Sequence, residues 1–355
     1  MNQTIPDQEC NTIIVVWPSI YKKKKYWREI LEIYCKVIDL LLECNNYIFI
    51  IKSKNDDIFK DISRLNNTSD ISKINSKKYK NFIQLIDYET NDIWIRDYGP
   101  QIALNKENNQ YFFYNYYYNA YGEKYSFDKD NAFSNHYVKN FYKIHKNKEI
   151  VMKEPFKNII LEGGNIINNG LGLSLFNKKC LELNNNKSWV EIQKELKSDY
   201  LKNKMGTFEY IDVNSLSGDD TNGHIDNLIR FHGHDTLLYM ATDDNSHPDY
   251  HLLKELKEQI ISIKKKSAYI NNLIAINHDV EDICRSENDL ILPFSYLNYI
   301  ITNNKVIIPI PVKISSKKKN IIKNIFINKD VAFINSSALL NEYGNLHCCT
   351  LNSIW

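Results

Sequence analysis

One thiol, one imidazole and three carboxylates stand at loop-like positions of this chain: Cys348, His224, Asp97, Glu162 and Asp226. Together these types suit one kind of ligand. A guanidinium is planar, presents five N–H donors and stays charged at neutral pH, with a pKa above about 12. Two carboxylates can grip it in fork geometry and hold its central carbon in front of a thiolate. Trp94 adds an indole face, which attracts cations. Gly163, beside Glu162, marks a turn where the backbone can approach a ligand closely, and Asn345, three residues before Cys348, is a further candidate substrate contact.

Taken singly, each residue also has a plainer reading. His224 and Asp226 are two apart at what reads as a strand entrance, so both can project to one face. Equally, Asp219 to Gly223 can be a turn and His224 a satisfied structural histidine. Trp94, Ile95, Arg96 and Asp97 alternate in strand fashion, yet Trp94 can be core and Arg96 can pair with Asp92 or Asp97. Glu162 can be a loop acid, and a buried inert thiol is the default for Cys348. His347, Cys348 and Cys349 suggest zinc only weakly, because adjacent cysteines cannot easily share one ion and no second cysteine pair exists. The Asp220 to Gly223 fragment resembles the start of a calcium loop but lacks its later ligands. Neither a metal nor a cofactor is expected.

The elements that must position these residues alternate along the chain. Four polar islands carry them: 91–100, 161–165, 218–227 and 344–350, with a fifth, less polar, at 293–298. Taking Asp97, Glu162, His224, Tyr296 and Cys348 as markers, the intervals are 65, 62, 72 and 52 residues, which suggests repeated units each donating one loop to a shared centre. Strand-like runs lie at 12–17, 47–51, 83–86, 111–118, 159–161, 225–231, 236–240 and 305–310. Helical patterns lie at 26–44, 189–196 and 251–264, the first with Trp27, Ile30, Leu31, Tyr34, Val37, Ile38 and Leu41 on one side. This alternation favours an α/β or α+β architecture. No Pro/Gly/Ser-rich linker divides the chain, so a single domain over 1–355 is expected. Runs such as Asn184-Asn185-Asn186 and Lys317 to Lys319 read as solvated surface.

Composition narrows the function. Among 355 residues, 45 Lys and Arg face 43 Asp and Glu, leaving a net charge of +2 and no basic stripe of the kind a nucleic-acid binder needs. No window approaches eighteen uninterrupted apolar residues, so no membrane span is expected. The first residues lack the basic and apolar regions of a secretion signal. Seven scattered cysteines without a CxxC pair argue against a disulfide framework and favour a reducing, cytoplasmic setting.

The islands resemble the agmatine deiminase family, which shares a superfamily with bacterial peptidylarginine deiminases, arginine deiminases and amidinotransferases. Trp94 to Pro100 looks like its W-x-R-D-x-G-P, Asn119 to Gly122 like N-A-W-G, and Glu162 to Asn165 like E-G-G-[NS]. Asp220 to Asp226 looks like D-T-D-G-H-[IV]-D, and Gly344 to Thr350 like G-[NS]-[IL]-H-C-x-T. Two positions depart: Tyr121 replaces the usual tryptophan and Asn222 the usual aspartate. The resemblance implies a five-bladed α/β propeller of ββαβ units. It also implies Cys348 as nucleophile, His224 as general acid and base, Asp97 and Asp226 as guanidinium ligands, Glu162 as supporting carboxylate and Cys349 as bystander. The implied reaction converts a guanidine, agmatine first and arginine or peptidyl-arginine second, to a ureido group and ammonia. An inactive guanidine- or polyamine-binding protein is the reading from another class. The expected partner is a small guanidine, with no nucleic acid or membrane, and a homo-oligomer is left open.

Overall fold

Apolar runs of five or six residues bounded by polar turns make the strands of this α/β fold, and the amphipathic stretches between them make its helices. The computed structural model describes residues 2–65, 73–74, 76–144, 149–153 and 158–354. Among them one three-stranded set recurs five times, an antiparallel pair followed by a parallel partner. The sets are Gln101–Asn105, Gln110–Tyr114 and Glu149–Lys153; Ile166–Asn168, Leu173–Asn177 and Thr207–Ile211; and Ile229–His232, Thr236–Ala241 and Asn272–Asn277. The fourth is Ile300–Ile301, Lys305–Ile310 and Asp330–Asn335, and the fifth is Thr350–Ser353, Thr12–Val16 and Tyr47–Lys52. A parallel partner cannot be reached by a tight turn. Helices therefore carry the chain across in every set: Asp128–Ile144, Trp189–Asn203, Tyr250–Lys266, Ser316–Ile325 and Trp27–Glu43 respectively.

The described residues form two compact units. The first comprises Met1–Pro6 and Arg96–Leu297 and holds the first three sets; the second comprises Asp7–Ile95 and Asn298–Trp355 and holds the other two. The missing linker suggests one domain, but the chain passes between the units without one, inside short segments at Pro6–Asp7, Ile95–Arg96 and Leu297–Asn298. In the first unit Phe112, Tyr114, Leu161, Phe176, Leu196 and Tyr200 belong to one apolar cluster. In the second, helix Trp27–Glu43 buries the whole stripe from Trp27 to Leu41. Each fully buried Leu or Ile there contributes about 1.5–3 kcal/mol.

Two expected strand segments are turns instead. Ile95–Tyr98 is one turn of α-helix, and Ile225–Asn227 is a 3-10 turn with the strand beginning only at Ile229. Ile95 and Ile225 are fully buried inside these turns, so the sequence carries a strand's burial pattern without a ladder. In the expected run 111–118 the strand ends at Tyr114, and beyond it Tyr117 forms an isolated parallel bridge with Ile160 of the run 159–161. Among the described residues no helix is long and apolar enough to cross a membrane.

Candidate active site

Every set is entered through a polar loop just ahead of its first strand, and the chemistry-bearing residues sit in those loops. Asp97 precedes Gln101–Asn105, Glu162 precedes Ile166–Asn168, and His224 and Asp226 precede Ile229–His232. Asn298 precedes Ile300–Ile301 and Cys348 precedes Thr350–Ser353.

In the first unit three of these loops meet. His224 Nε2 lies 2.7 Å from Glu162 Oε2, and His224 Nδ1 lies 3.5 Å from Asp97 Oδ1. Gly164 N–H donates to Asp97 Oδ1 at 2.9 Å, and Tyr121 O–H donates to Asp97 Oδ2 at 2.8 Å. Asp97, Glu162, His224 and Asp226 are all buried. The loop around His224 is organised by Asp219. Its carboxylate accepts from Thr221 N–H at 3.3 Å, Thr221 O–H at 2.8 Å and Gly223 N–H at 2.8 Å, and Thr221 Oγ1 in turn accepts from His224 N–H at 3.2 Å. The two glycines of the Glu162 loop are needed for different reasons. A Cβ on Gly163 would stand 1.9 Å from the Arg96 carbonyl oxygen, whereas one on Gly164 would stand 2.5 Å from His224 Nδ1 and 2.7 Å from Asp97 Oδ1.

Electrostatics follow from burying four ionisable groups together. Burial alone would depress the imidazolium of His224, but the Asp97 charge, the Glu162 hydrogen bond and charge, and the Asp226 charge outweigh it and raise the pKa above the ordinary imidazole value. Burial lifts Asp97 well above the usual carboxylate range. The Glu162 and Asp226 charges add to that, while His224 and the Tyr121 hydroxyl oppose it. The result is a proton-holding imidazole inside an anionic cradle, suited to a compact cation and to giving and taking a proton. Glu162, Cys180 and His224 also bring ligand-type atoms within 4.8 Å of one another, a set that could hold a metal ion. All three are already engaged, His224 with Glu162 and Cys180 Sγ with the Thr221 carbonyl at 3.6 Å.

In the second unit Asn298 organises the loop of Cys348. Its Oδ1 accepts from His347 N–H at 2.9 Å and Cys348 N–H at 3.4 Å, and its Nδ2 lies 3.3 Å from Cys348 Sγ. His347 Nε2 is anchored 3.0 Å from Asp7 Oδ2. Cys348 is part-exposed, while Cys349 is buried with its sulfur 3.4 Å from the Leu346 carbonyl. Trp94 is buried where Gly344 reaches its ring, since a Cβ on Gly344 would stand 2.4 Å from it. Asn345 is buried with Oδ1 accepting from Leu346 N–H at 2.9 Å and, among the described residues, with no hydrogen-bond partner for Nδ2.

Several residues that shape these loops are not among the expected set. Asn298 ends the fifth island, but Tyr296 was the natural marker there; the Tyr296 hydroxyl instead donates to Asp282 at 2.7 Å. Asn184 reads in sequence as solvated surface. It is buried, and its side-chain N–H donates to Glu162 Oε2 at 2.7 Å. Asn185 likewise pairs its side chain with the backbone of Ile160, at 2.6 and 2.9 Å.

Known proteins resemble this chain over most of its length. Two relatives, each named "Putative agmatine deiminase", are 28% identical. The one from Mycoplasma mycoides subsp. mycoides SC aligns over 290 residues and 76% of each chain. The one from Legionella pneumophila strain Paris aligns over 272 residues, 76% of this chain and 74% of its own. Among solved structures, a substrate-bound C. jejuni agmatine deiminase superposes with a TM-score of 0.78 at 23% identity, covering 100% of this chain and 97% of its own. An agmatine deiminase of Enterococcus faecalis superposes with a TM-score of 0.75 at 17% identity, covering 99% and 95%. These likenesses show the fold. The model of the Porphyromonas-type peptidyl-arginine deiminases matches residues 7–353, so the chain belongs to that family.

Proposed function

We propose that this chain is a hydrolase that deiminates a small guanidine, agmatine to N-carbamoylputrescine and ammonia, through a covalent thiouronium on Cys348. The observation that carries the reading is the cradle of Asp97, Glu162 and Asp226 around His224, with Asp97 and Glu162 oriented by N–H donors. Acidic walls suit a cation and not a peptide carbonyl, whose oxyanion needs donors. The relatives named for agmatine deimination support the same substrate.

In this proposal Asp97 and Asp226 hold the guanidinium, with Trp94, Gly163 and Asn345 as further substrate contacts. The Cys348 thiolate attacks the central carbon, the C–N bond to one nitrogen breaks, and His224 gives its proton to the departing ammonia. Water then attacks the thiouronium carbon while His224 takes a proton from it. The added hydroxyl gives its proton to the ammonia, which leaves as ammonium, and the C–S bond breaks to release the ureido product and the thiolate. No step calls for a cofactor, because the electrophile is cationic and the nucleophile is a side chain. The five strand sets as blades of one propeller, one catalytic domain and a cytoplasmic setting belong to the same proposal.

One observation favours the second substrate class. Asn222 stands where the resembled motif has aspartate, so one anionic charge that would attract a dication is missing. That leaves arginine or peptidyl-arginine as the alternative. Ammonia release from agmatine, arginine and an arginyl peptide, measured side by side, decides between them. Mass spectrometry of the chain mixed with each compound detects the adduct on Cys348. Binding with no adduct and no ammonia would leave only a guanidine-binding protein.

A further inference from the structure

Tyr121 touches three of the four groups in the buried cradle. Its hydroxyl donates to Asp97 Oδ2 at 2.8 Å, its backbone N–H donates to Glu162 Oε1 at 2.9 Å, and its ring lies edge-on to the His224 imidazole with centroids 5.7 Å apart. To do this Tyr121 adopts a left-handed backbone, φ 63°, inside a segment where Ala120 and Glu123 do the same. A non-glycine residue there is strained, and strain of this kind persists only where neighbours over-determine it. Asn119 supplies part of that restraint by accepting from Gly122 N–H at 3.1 Å. Asn222 supplies another part, since its Nδ2 reaches the Tyr121 carbonyl at 3.4 Å and Asn184 Oδ1 at 2.7 Å. Asn184 then donates to Glu162. The two departures from the resembled motifs, Tyr121 and Asn222, thus lie against each other and reach Glu162 by two routes, while Tyr121 also reaches Asp97.

We infer that Tyr121 is a positioning residue for the proposed deimination, aiming Asp97 and Glu162 from one strained residue while Asn222 braces its carbonyl. The inference rests on the function proposed above and adds a part to it. Each oxygen of Asp97 takes one donor, Gly164 N–H on Oδ1 and Tyr121 O–H on Oδ2. A carboxylate oxygen has two lone pairs; His224 Nδ1, 3.5 Å away, faces the second on Oδ1, which leaves Oδ2 to take an N–H of a guanidinium. The groups facing Asp97 are His224, Glu162, Asp226, Tyr121 and the Gly164 amide; the Tyr118 hydroxyl is hydrogen-bonded to Tyr121 behind it. The phenolic donor stabilises the charged form of Asp97 against burial and its two anionic neighbours.

Tyr121→Phe keeps the ring and the backbone bond to Glu162 and removes only the hydroxyl. The acid limb of the kcat/KM profile should rise by about one pH unit, with a loss of about tenfold at neutral pH that shrinks at higher pH. Asp97, followed by carbon-13 NMR titration without turnover, should titrate at higher pH, because the phenolic donor that favours its charged form is gone. A folded Tyr121→Phe with an unmoved acid limb and an unmoved Asp97 titration overturns the inference. Should that variant not fold, Asn222→Gly, which suits the φ of 67° at this position, removes the brace and gives the same two readouts. No shift in either readout there overturns it as well. If the unaltered chain releases no ammonia from any guanidine, the proposed function fails, while the Asp97 titration still decides the role of Tyr121.

Discussion

The side-chain amide of Asn298 lies 3.3 Å from the Cys348 sulfur while its oxygen receives the His347 N–H at 2.9 Å, so one asparagine both neighbours the thiol and shapes the turn that carries it. Asn298→Ala leaves the His347 N–H only the Asn298 backbone carbonyl, at 3.1 Å, and removes the side-chain bonds that fix the turn, which costs about 0.5–1.5 kcal/mol for each bond lost. It should lower kcat by roughly tenfold or more and change the rate at which iodoacetamide labels Cys348, read by peptide mapping. A variant with unchanged kcat and labelling rate would show that Asn298 only fills space.

Cys348→Ala should reduce turnover by about a thousandfold or more and abolish the mass-detected adduct, as loss of a covalent nucleophile does. Cys349→Ala should keep the adduct, because that sulfur is buried against the Leu346 carbonyl. Adduct formation that follows Cys349 instead would reverse their roles.

The two glycines after Glu162 should fail differently. Gly163→Ala drives a methyl group into a backbone carbonyl 1.9 Å away, which side-chain motion cannot relieve, and should lower the melting temperature or prevent folding. Gly164→Ala meets the His224 and Asp97 side chains first, so the fold should survive while kcat/KM drops about a hundredfold. Calorimetry and kinetics on both variants check the contrast, and a fully active Gly164→Ala would remove His224 and Asp97 from the chemistry.

The directions of the pKa shifts set the pH profile. His224 is raised above its ordinary value, so its proton persists through neutral pH and is lost only as pH climbs through the raised value. The basic limb of kcat should therefore lie above the ordinary imidazole range and change in His224→Gln. Asp97 is raised from the carboxylate range, so its charged form is gained late as pH rises, and the acid limb of kcat/KM should sit well above an ordinary carboxylate pKa. A limb at the ordinary carboxylate position would contradict that environment.

Dialysis against EDTA should leave turnover unchanged, although Glu162, Cys180 and His224 converge. Loss of activity on chelation, restored by added zinc, would make that cluster a metal site and overturn the cofactor-free mechanism.

The loops were legible because glycines are scarce in this chain and gather beside the acids, so Asp97, Glu162, His224 and Cys348 all stand out. Periodicity located helix Trp27–Glu43 to within a residue at each end, since its apolar stripe is unbroken. Helix Asp128–Ile144 was missed because charges and asparagines interrupt its pattern. Asn184 and Asn298 were hidden for a different reason. Each asparagine acts through long-range hydrogen bonds, Asn184 to Glu162 and Asn222, Asn298 to the turn of His347 and Cys348, and neither the asparagine run at 184–186 nor the apolar neighbours of Asn298 carry a local sign of them. Tyr121 was visible only as a departure from a motif; that its hydroxyl faces Asp97 depends on a left-handed backbone that a tyrosine does not advertise.

Strand Thr350–Ser353 pairs with Thr12–Val16, residues made near the opposite extreme of the chain during synthesis. Until the ribosome delivers the later segment, the earlier one has an unsatisfied edge exposed to strangers, and the thiol arrives together with the strand that closes it. Nascent chains stalled before that point should therefore be both inert and prone to clumping, so that competence for chemistry and protection from aggregation are acquired in one step.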